Sequence, residues 1–584
     1  MRLLPRRFPS KPCLPRLLTL ALLLPMALGC RAIDDPSRSL PTTIFAGGPI
    51  VTLDEPLRVE ALAIRGAEIA AVGGLEELQR RFPDARRVDL EGRSLLPGFL
   101  DTHAHVHELG RDRLLADLTG AESVDDMVRR LREKFPQPDA GQWLIGQGWD
   151  EGAWGSRGYP DRRVLDAAFP DHPVWLGSLH GFAGFANARA LEIARVSART
   201  PDPEAGSILR RANGEPTGVL LTLAQNLVQR VLPGDTPETT RAAVLAGLEE
   251  MASAGVTTVH EAGVSSQVVE AYERLAAERA LPIRVRLLLD GNEPALVDRW
   301  LARGPLDDPN GMLAVRGFKI FYDGSLGSRT ALLAEPYADR PQSARPSERM
   351  ALDRMAYIGS MALRSGFQMA VHAIGDEGND RVLNLFEDLL NVRTPNASVT
   401  ETRWRIEHAQ VVKPDFYSRA AGLGIVASVQ PSHAVGYAAW AGERLGPARL
   451  ENAYAWRRML DAGVDVVINS DLPGEPWRPL ETLYFAITRQ RLPADLAGGA
   501  EPVSNPRLDQ ALAPLEAFQA MNLAGAWAGF DEYRLGRLAP GLLADFVELS
   551  GDPLATAEAA PEHLPSLSVH RVWIGGRPLD PPPK

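Results

Sequence analysis

The chain has 584 residues, of which 45% are hydrophobic and 23% are charged, so it is long enough to bury one large core and a smaller one. The net charge of -11 at pH 7 argues against nucleic acid and against an anionic membrane surface as main partners. Proline and glycine are spread along the chain rather than gathered in a low-complexity tract, which is the pattern of a globular protein.

The first 30 residues have the pattern of a secretory signal peptide. A basic region without acidic residues precedes an apolar run at 17–24, which is shorter than the roughly 20 residues that a membrane-spanning helix needs. The Ala27-Leu28-Gly29 segment before Cys30 resembles a bacterial lipobox. We therefore predict export to the bacterial cell envelope as a lipoprotein, with a lipid on Cys30 as the membrane anchor. Ordinary cleavage and release is the alternative.

Both cysteines of the chain, Cys13 and Cys30, lie in this signal segment. The mature protein is therefore expected to have neither a disulfide nor a catalytic thiol. Residues 31–41, which include acidic, proline and serine residues, are interpreted as a tether between the anchor and the folded protein.

Short β-like pieces occupy both ends of the mature chain. Residues 42–95 alternate them with glycine turns, and residues 540–584 end in a similar pattern. We predict that these two segments build one small composite β-sandwich, and that residues 96–539 form the main domain between them. Two unrelated terminal hairpins are the alternative.

The main domain contains apolar runs that end in polar residues and are each followed by a helix-like stretch. Eight such runs are present, at 99–105, 256–261, 284–290, 317–323, 368–372, 404–408, 425–430 and 465–471. Near-continuous apolar strands that alternate with helices indicate a parallel sheet, and eight of them predict an α/β protein with a (β/α)8 TIM barrel. In that fold the chemistry lies at the carboxyl ends of the strands.

The stretch 108–250, between the first two strands, is too long for a simple loop and has strand-like and helix-like runs of its own. We predict a large insertion that covers the barrel mouth as a lid. Trp149, Asp150 and His180 of this insertion, together with Tyr322, are candidate substrate-binding residues. Burial in the core of the lid is an equally good interpretation of its aromatic residues.

Four histidines lie at the ends of the barrel strands. His103 and His105 are two residues apart, so on a strand their imidazoles project from the same face and make half of a metal site. His372 and His408 end the fifth and sixth strands. Each histidine alone is as well explained by a structural role, but four of them at one barrel mouth favour a metal site.

Asp471 and Lys319 add charge to the same set of strands. Asp471 ends an apolar run, where a carboxylate needs a cation to offset its desolvation, and capping of the next helix is the alternative. Lys319 lies within an apolar strand, where a lysine carbamate would supply an anionic bridge between two metals. A lysine paired with Asp323 or Asp471 is the competing interpretation.

These residues belong to an ordered set of motifs. The set comprises PGFLDTHAH at 97–105, GQGWD at 146–150, FKIFYDGSLGSRTA at 318–331, VHAIGD at 371–376, RIEHAQ at 405–410, SDLP at 470–473 and GRLAPGLLADF at 536–546. In this order it resembles the amidohydrolase superfamily, and specifically amidohydrolase family 3, over nearly the whole mature chain. The resemblance implies a divalent-metal site formed by His103, His105, His372, His408 and Asp471, with Lys319 as a carboxylated bridge.

The resemblance also implies an enzyme, a metal-dependent hydrolase acting on a non-peptide carbon–nitrogen bond of a small-molecule substrate. One or two metal ions, expected to be zinc, would lower the pKa of a bound water from about 16 towards about 7, and the hydroxide would attack the carbonyl. Asp471 would take the proton and pass it to the leaving nitrogen. An esterase or lactonase using the same site and a non-catalytic, lipid-anchored binding protein are the alternatives.

Overall fold

The computed structural model describes residues 40–150, 158–178, 183–203, 206–342, 345–391, 402–504 and 506–579. The predicted signal at 1–30 with its lipidation site, nearly all of the tether at 31–41, and His180 lie outside the described residues. The chain divides into two compact units. The first combines the chain up to His105 with the chain from Glu249 onward, and the second is Val106–Leu248.

The first unit contains the expected barrel sheet of eight parallel strands, which follow one another in sequence order. The strands are Phe99–Ala104, Val256–Val264, Arg284–Asp290, Leu313–Phe321, Gln368–Ala373, Arg405–His408, Val426–Val429 and Asp465–Ile468. The segment after the eighth strand closes the sheet onto the first, because Asp471 N–H donates to the His103 carbonyl at 2.9 Å and His105 N–H donates to the Leu472 carbonyl at 3.1 Å. The prediction of an eight-stranded, TIM-like barrel is thus confirmed.

The barrel strands are almost completely buried, as expected for a parallel sheet covered on both faces. Their observed ends differ slightly from the apolar runs. The fourth strand begins at Leu313, before the run at 317–323, because its first residues pair in parallel with the third strand from Val285 onward. His105 and Asp471 lie just past their strands, in the loops at the carboxyl ends.

Helices follow most of the barrel strands in the first unit. In addition to Leu75–Arg81 and Pro553–Ala559 of the terminal segments, they are Ser266–Ala277, Pro294–Arg303, Leu352–Ser365, Asp376–Asn391, Phe416–Leu423, Pro431–Gly436, Ala438–Leu445, Pro447–Leu450, Trp456–Asp461, Pro479–Thr488, Pro493–Ala497, Pro514–Met521 and Leu523–Ala528. Six of those thirteen begin on a proline, whose fixed backbone angle and missing N–H suit the first helical position.

The two terminal segments share one eight-stranded sheet. Its strands are Thr42–Val51, Arg58–Arg65, Glu68–Gly73, Arg86–Asp89, Ser94–Pro97, Phe546–Leu549, Val569–Ile574 and Arg577–Pro578. The segments meet where Phe546–Leu549 pairs antiparallel with Ser94–Pro97. The rings of Phe45, Phe546 and Trp573 pack on one another with centroids 5.0–5.3 Å apart. The two-layer sandwich and the exact domain bounds stay predictions.

The second unit has a six-stranded sheet of its own. Its strands are Ala116–Asp117, Leu144–Trp149, Val174–Ser178, Ala183–Ala186, Gly206–Arg210 and Pro216–Thr222, and its helices are Val106–Leu114, Val124–Lys134, Arg163–Ala168, Ala188–Ile193, Asn226–Gln229 and the start of Pro237–Ser253. Two hydrophobic cores lie in this unit, one that includes Met127, Trp149 and Phe185 and one that includes Trp175 and Leu220. Its proposed role as a lid stays a prediction. Within the described ranges no helix is long and apolar enough to cross a membrane.

A buried ion pair ties the barrel to the terminal sheet. Arg284 on the third barrel strand forms two hydrogen bonds to Asp545, at 2.6 and 3.0 Å, and both side chains are at most 4% exposed. Asp545 also accepts the backbone N–H of Gly575 at 2.7 Å. Removing the carboxylate would therefore leave a guanidinium and an amide buried without their acceptor.

We expect Asp545→Ala to lower the free energy of unfolding of the first unit by about 3–5 kcal/mol, since breaking one side of a buried pair leaves an uncompensated charge. Urea denaturation followed by circular dichroism measures the change. Glu76→Ala is the control, because Glu76 is 91% exposed and lies 3.8 Å from Arg80 in an i,i+4 surface pair that contributes little. Equal stabilities of the two variants would contradict the role assigned to Asp545.

Candidate metal centre

His103 is the most deeply buried histidine of the centre, with a side chain that is 0% exposed. Its Nδ1 lies 2.5 Å from Glu407 Oε2, so the Nδ1 hydrogen is donated to that carboxylate. The Nε2 atom is then left with its lone pair, 3.0 Å from Lys319 Nζ and 3.3 Å from Asp471 Oδ1. The first barrel strand thus directs one imidazole nitrogen into the barrel mouth.

Asp471 lies in the loop after the eighth strand and has a left-handed backbone, with φ +56°. Its Oδ1 is 3.2 Å from His105 Nε2, and its Oδ2 is 3.8 Å from His408 Nδ1. Burial opposes ionisation of this carboxyl, but the imidazoles of His103 and His105 outweigh it and hold the pKa of Asp471 well below its usual value. Asp471 does not cap the next helix, which begins at Pro479 with Arg478 before it.

Hydrogen bonds also fix the protonated nitrogen of His408 and His372. His408 Nδ1 is 2.8 Å from the side-chain oxygen of Gln430, whose amide nitrogen is engaged elsewhere, so Nδ1 is the donor and Nε2 has a free lone pair. His372 Nε2 is 3.1 Å from the carbonyl of Gly324, which leaves Nδ1 with the lone pair. The two rings lie 4.4 Å apart between centroids. Each imidazole therefore offers one unprotonated nitrogen.

Lys319 is fully buried on the fourth strand, and its Nζ lies 4.5 Å from the centroid of the Phe321 ring. Burial lowers the pKa of its ammonium to about 8. Asp323 is not its partner, because that carboxylate accepts three backbone N–H groups, from Leu332, Ile374 and Gly375, at 2.9–3.0 Å. The structure instead directs the Lys319 nitrogen at His103.

The donor set fits a divalent metal ion. His103, His408 and Asp471 each offer a ligand atom within 4.8 Å of the others, and imidazole nitrogen and carboxylate oxygen are ligands that zinc accepts. Burial, with the charge of Lys319 nearby, lowers the pKa of His103 to about 4 and that of His372 to about 3. The imidazoles are therefore neutral near pH 7, which is the state that binds a metal.

The centre contains a fifth histidine, His433, that the sequence analysis missed. It lies in the helix Pro431–Gly436, directly after the seventh strand, and its Nε2 is 3.7 Å from Asp471 Oδ2. Gln410 donates its amide hydrogen to His433 Nδ1 at 2.9 Å, and Tyr437 stacks on the ring at 5.1 Å between centroids. The available signal was the helix start Pro431-Ser432-His433 directly after a barrel strand, because residues that follow the carboxyl end of a strand lie at the barrel mouth.

The structure describes three of the four candidate substrate-binding residues. Tyr322, in the first unit, is buried beside the metal centre and donates its backbone N–H to the His372 carbonyl at 3.2 Å. Trp149 is buried in the core of the second unit, where its indole N–H donates to the Leu176 carbonyl at 3.0 Å. Asp150, next to it, is half-buried, and His180 lies outside the described residues. The contact of these side chains with substrate stays a prediction.

Comparison with known proteins agrees with this geometry. The chain is 33% identical to the putative amidohydrolase YtcJ of Bacillus subtilis, over 91% of this chain and 98% of that protein. It is 28% identical to the N-substituted formamide deformylase of Arthrobacter pascens, over 88% of this chain and 94% of that protein. The solved structure of an uncharacterized metal-dependent hydrolase from Pyrococcus horikoshii covers 89% of this chain and 99% of its own, with a TM-score of 0.71 at 27% identity.

Two family descriptions match consecutive parts of the chain. A bacterial imidazolonepropionase-like composite domain matches residues 61–85, within the terminal sheet. The amidohydrolase family matches residues 86–580, which include every barrel strand and every side chain of the metal centre. The chain therefore belongs to the amidohydrolase family of metal-dependent hydrolases.

Proposed function

We propose that this protein hydrolyses a non-peptide carbon–nitrogen bond of amide type in a small molecule. The observation that carries the proposal is the position of Asp471, an ionised carboxylate 3.2–3.8 Å from imidazole nitrogens of four histidines at the barrel mouth. The similarity to a protein named as an N-substituted formamide deformylase supports an N-acyl or N-formyl amine as the substrate class.

His103, His105, His372, His408 and Asp471 would hold the metal, which we propose to be zinc. When bound, a divalent cation supplies an activated water and polarises the carbonyl group of the substrate. The protein supplies fixed nitrogen lone pairs, because acceptors beside His103, His372 and His408 hold the hydrogen on the opposite ring nitrogen. Such preset ligand directions lower the reorganisation that metal binding requires.

Asp471 is proposed as the general base. Its carboxylate would take a proton from the attacking water and deliver it to the leaving nitrogen, which must be protonated before the amine departs. The imidazoles around Asp471 hold its pKa well below the usual value despite burial, so the carboxylate is ionised at neutral pH. Its side chain is 16% exposed, which leaves one edge accessible to substrate.

His433 is proposed to bind the carbonyl oxygen of the substrate. Because the Gln410 amide donates to Nδ1, the ring hydrogen is on Nε2, which faces Asp471 at 3.7 Å and so the centre. Stacking on Tyr437 fixes the ring plane. A neutral donor held in this way stabilises the negative charge that develops on the oxygen during attack.

Lys319 is proposed to be carboxylated, which would turn it into an anionic bridge between two metals. The pKa of about 8 leaves part of the lysine as the neutral amine that carboxylation requires, and the nitrogen already lies 3.0 Å from His103 Nε2. A bare ammonium at this position would repel a dication.

Asp471→Asn is expected to retain most of the bound metal and to lower kcat about 10²–10⁴-fold, the usual contribution of a general base. Mass spectrometry measures the metal content. Turnover of a panel of N-acyl and N-formyl amines measures kcat. Asp353→Asn, at an exposed aspartate in the first turn of Leu352–Ser365, is the control. Near-normal turnover by Asp471→Asn would remove Asp471 from the role of base.

His433→Ala is expected to lower kcat about 10²–10³-fold with little change in metal content, since one donor to the developing oxyanion is removed. His433→Gln, whose amide N–H reaches nearly as far as Nε2, should restore part of the loss. Steady-state kinetics with metal analysis separate the alternatives. Loss of metal from both variants would instead identify His433 as a ligand.

Purification with bicarbonate is expected to give two zinc ions per chain, and Lys319→Ala should lose one or both, because the anionic bridge disappears. Lys319→Glu, which restores a carboxylate on a shorter side chain, should recover part of the second ion. The metal count per chain measures the outcome. A single ion in the unsubstituted protein would contradict the bridge and leave Lys319 beside a mononuclear site.

A further inference from the structure

A charged pair lies behind the metal centre, inside the barrel. Arg405 and Glu407 are two residues apart on the sixth strand, so their side chains share a face, and both are 0% exposed. The Arg405 Nε atom lies 2.7 Å from Glu407 Oε1, and Arg405 Nη2 donates to Glu407 Oε2 at 3.2 Å. The same Oε2 accepts the Nδ1 hydrogen of His103 at 2.5 Å.

Arg405 is itself held from several sides. Its guanidinium donates to the Thr102 carbonyl at 2.6 Å, to Ser428 Oγ at 3.0 Å and to His260 Nδ1 at 3.1 Å. These partners come from the first, seventh and second barrel strands. The position of Glu407 is therefore determined by the barrel itself.

The pair is not explained by stability alone. Two buried charges are costly to desolvate, and apolar side chains of similar volume would fill the same space at least as favourably. What apolar side chains could not do is accept the hydrogen of His103. The hydrogen bond to His103 links Glu407 to the metal centre.

We propose that Glu407 is a positioning residue for the metal: it fixes the ring orientation of His103 and keeps the hydrogen on Nδ1, so that Nε2 always offers its lone pair to the ion. Arg405 holds the Glu407 carboxylate in place. The inference rests on the proposed metal-dependent function. It concerns a residue that would not contact the metal or the substrate and would act only through His103.

The test compares metal affinity and ligand field in Glu407 variants. Glu407→Gln keeps the size of the side chain but presents a weaker, neutral acceptor to His103. We expect 10–100-fold weaker zinc binding in competition with a chromophoric chelator, the usual effect of losing such a partner. At saturating cobalt(II), the visible absorption spectrum of the variant should also shift, because the orientation of one ligand has changed.

The matched control is Glu548→Gln in the terminal sheet. Glu548 is also buried, accepts the indole N–H of Trp573 at 2.8 Å and lies 3.6 Å from Arg93 Nε. A general effect of replacing a buried glutamate near an arginine would change both variants. We expect Glu548→Gln to bind zinc and cobalt as the unsubstituted protein does.

Glu407→Asp covers the case in which Glu407→Gln fails to fold. Aspartate keeps the charge beside Arg405 but withdraws the carboxylate from His103 by one methylene, and we again expect weaker zinc binding and a shifted cobalt spectrum. Folded variants with unchanged zinc affinity and an unchanged spectrum would overturn the inference. Absence of metal binding by the unsubstituted protein would overturn the proposed function instead, before any variant is measured.

Discussion

The closure of the barrel and the assembly of the metal centre depend on the same two hydrogen bonds. Asp471 N–H donates to the His103 carbonyl, and His105 N–H donates to the Leu472 carbonyl. Any loop that closed the sheet differently would also move the carboxylate away from both imidazoles. Asp471 has a left-handed backbone, and its Oδ1 lies 3.3 Å from His103 Nε2 and 3.2 Å from His105 Nε2. Closure and ligand geometry are therefore one constraint, which a parallel barrel satisfies at the carboxyl ends of its strands.

Burial determines the charge state of this centre. It lowers the pKa of His103, His372 and His408, while the imidazoles around Asp471 keep that carboxylate ionised against the effect of burial. A set of lone pairs and a carboxylate this close together is stabilised by a cation. The Lys319 ammonium lies beside this set, 3.0 Å from His103 Nε2, and burial lowers its pKa to about 8.

Much of the barrel could be predicted from the sequence, because each strand is an apolar run that is buried on both faces and ends in a polar residue. All eight runs lie on observed strands. His103, His105, His372, His408 and Asp471 were predicted from the same pattern, since the strand ends of a barrel meet at one mouth. The described geometry also brings Lys319 to this mouth and gives Asp323 other partners, a choice that strand position alone left open.

What the sequence analysis missed had a different local signature. His433 follows its strand on a helix rather than ending the strand, so a search of strand ends passes over it. Arg405 and Glu407 lie inside a strand, where a polar residue is normally a sign of an exposed face; here both face the barrel interior. From the sequence, Trp149 could line a pocket or pack in a core. Its burial and the hydrogen bond from its indole N–H to the Leu176 carbonyl show that it packs in the core.

The barrel interior therefore contains a succession of buried polar and charged side chains rather than an apolar core. Below the metal centre, Glu407 and Arg405 lead to His260, whose pKa is lowered by burial and by the Arg405 guanidinium, so that it accepts a hydrogen bond as a neutral ring. Further along, Arg286 pairs with Asp531 at 2.5 Å, with both side chains 2% exposed. Such pairs add little net stability, but each restricts the side chains next to it. The apolar residues around the strands stabilise the fold. The polar side chains inside the barrel orient the side chains at its mouth.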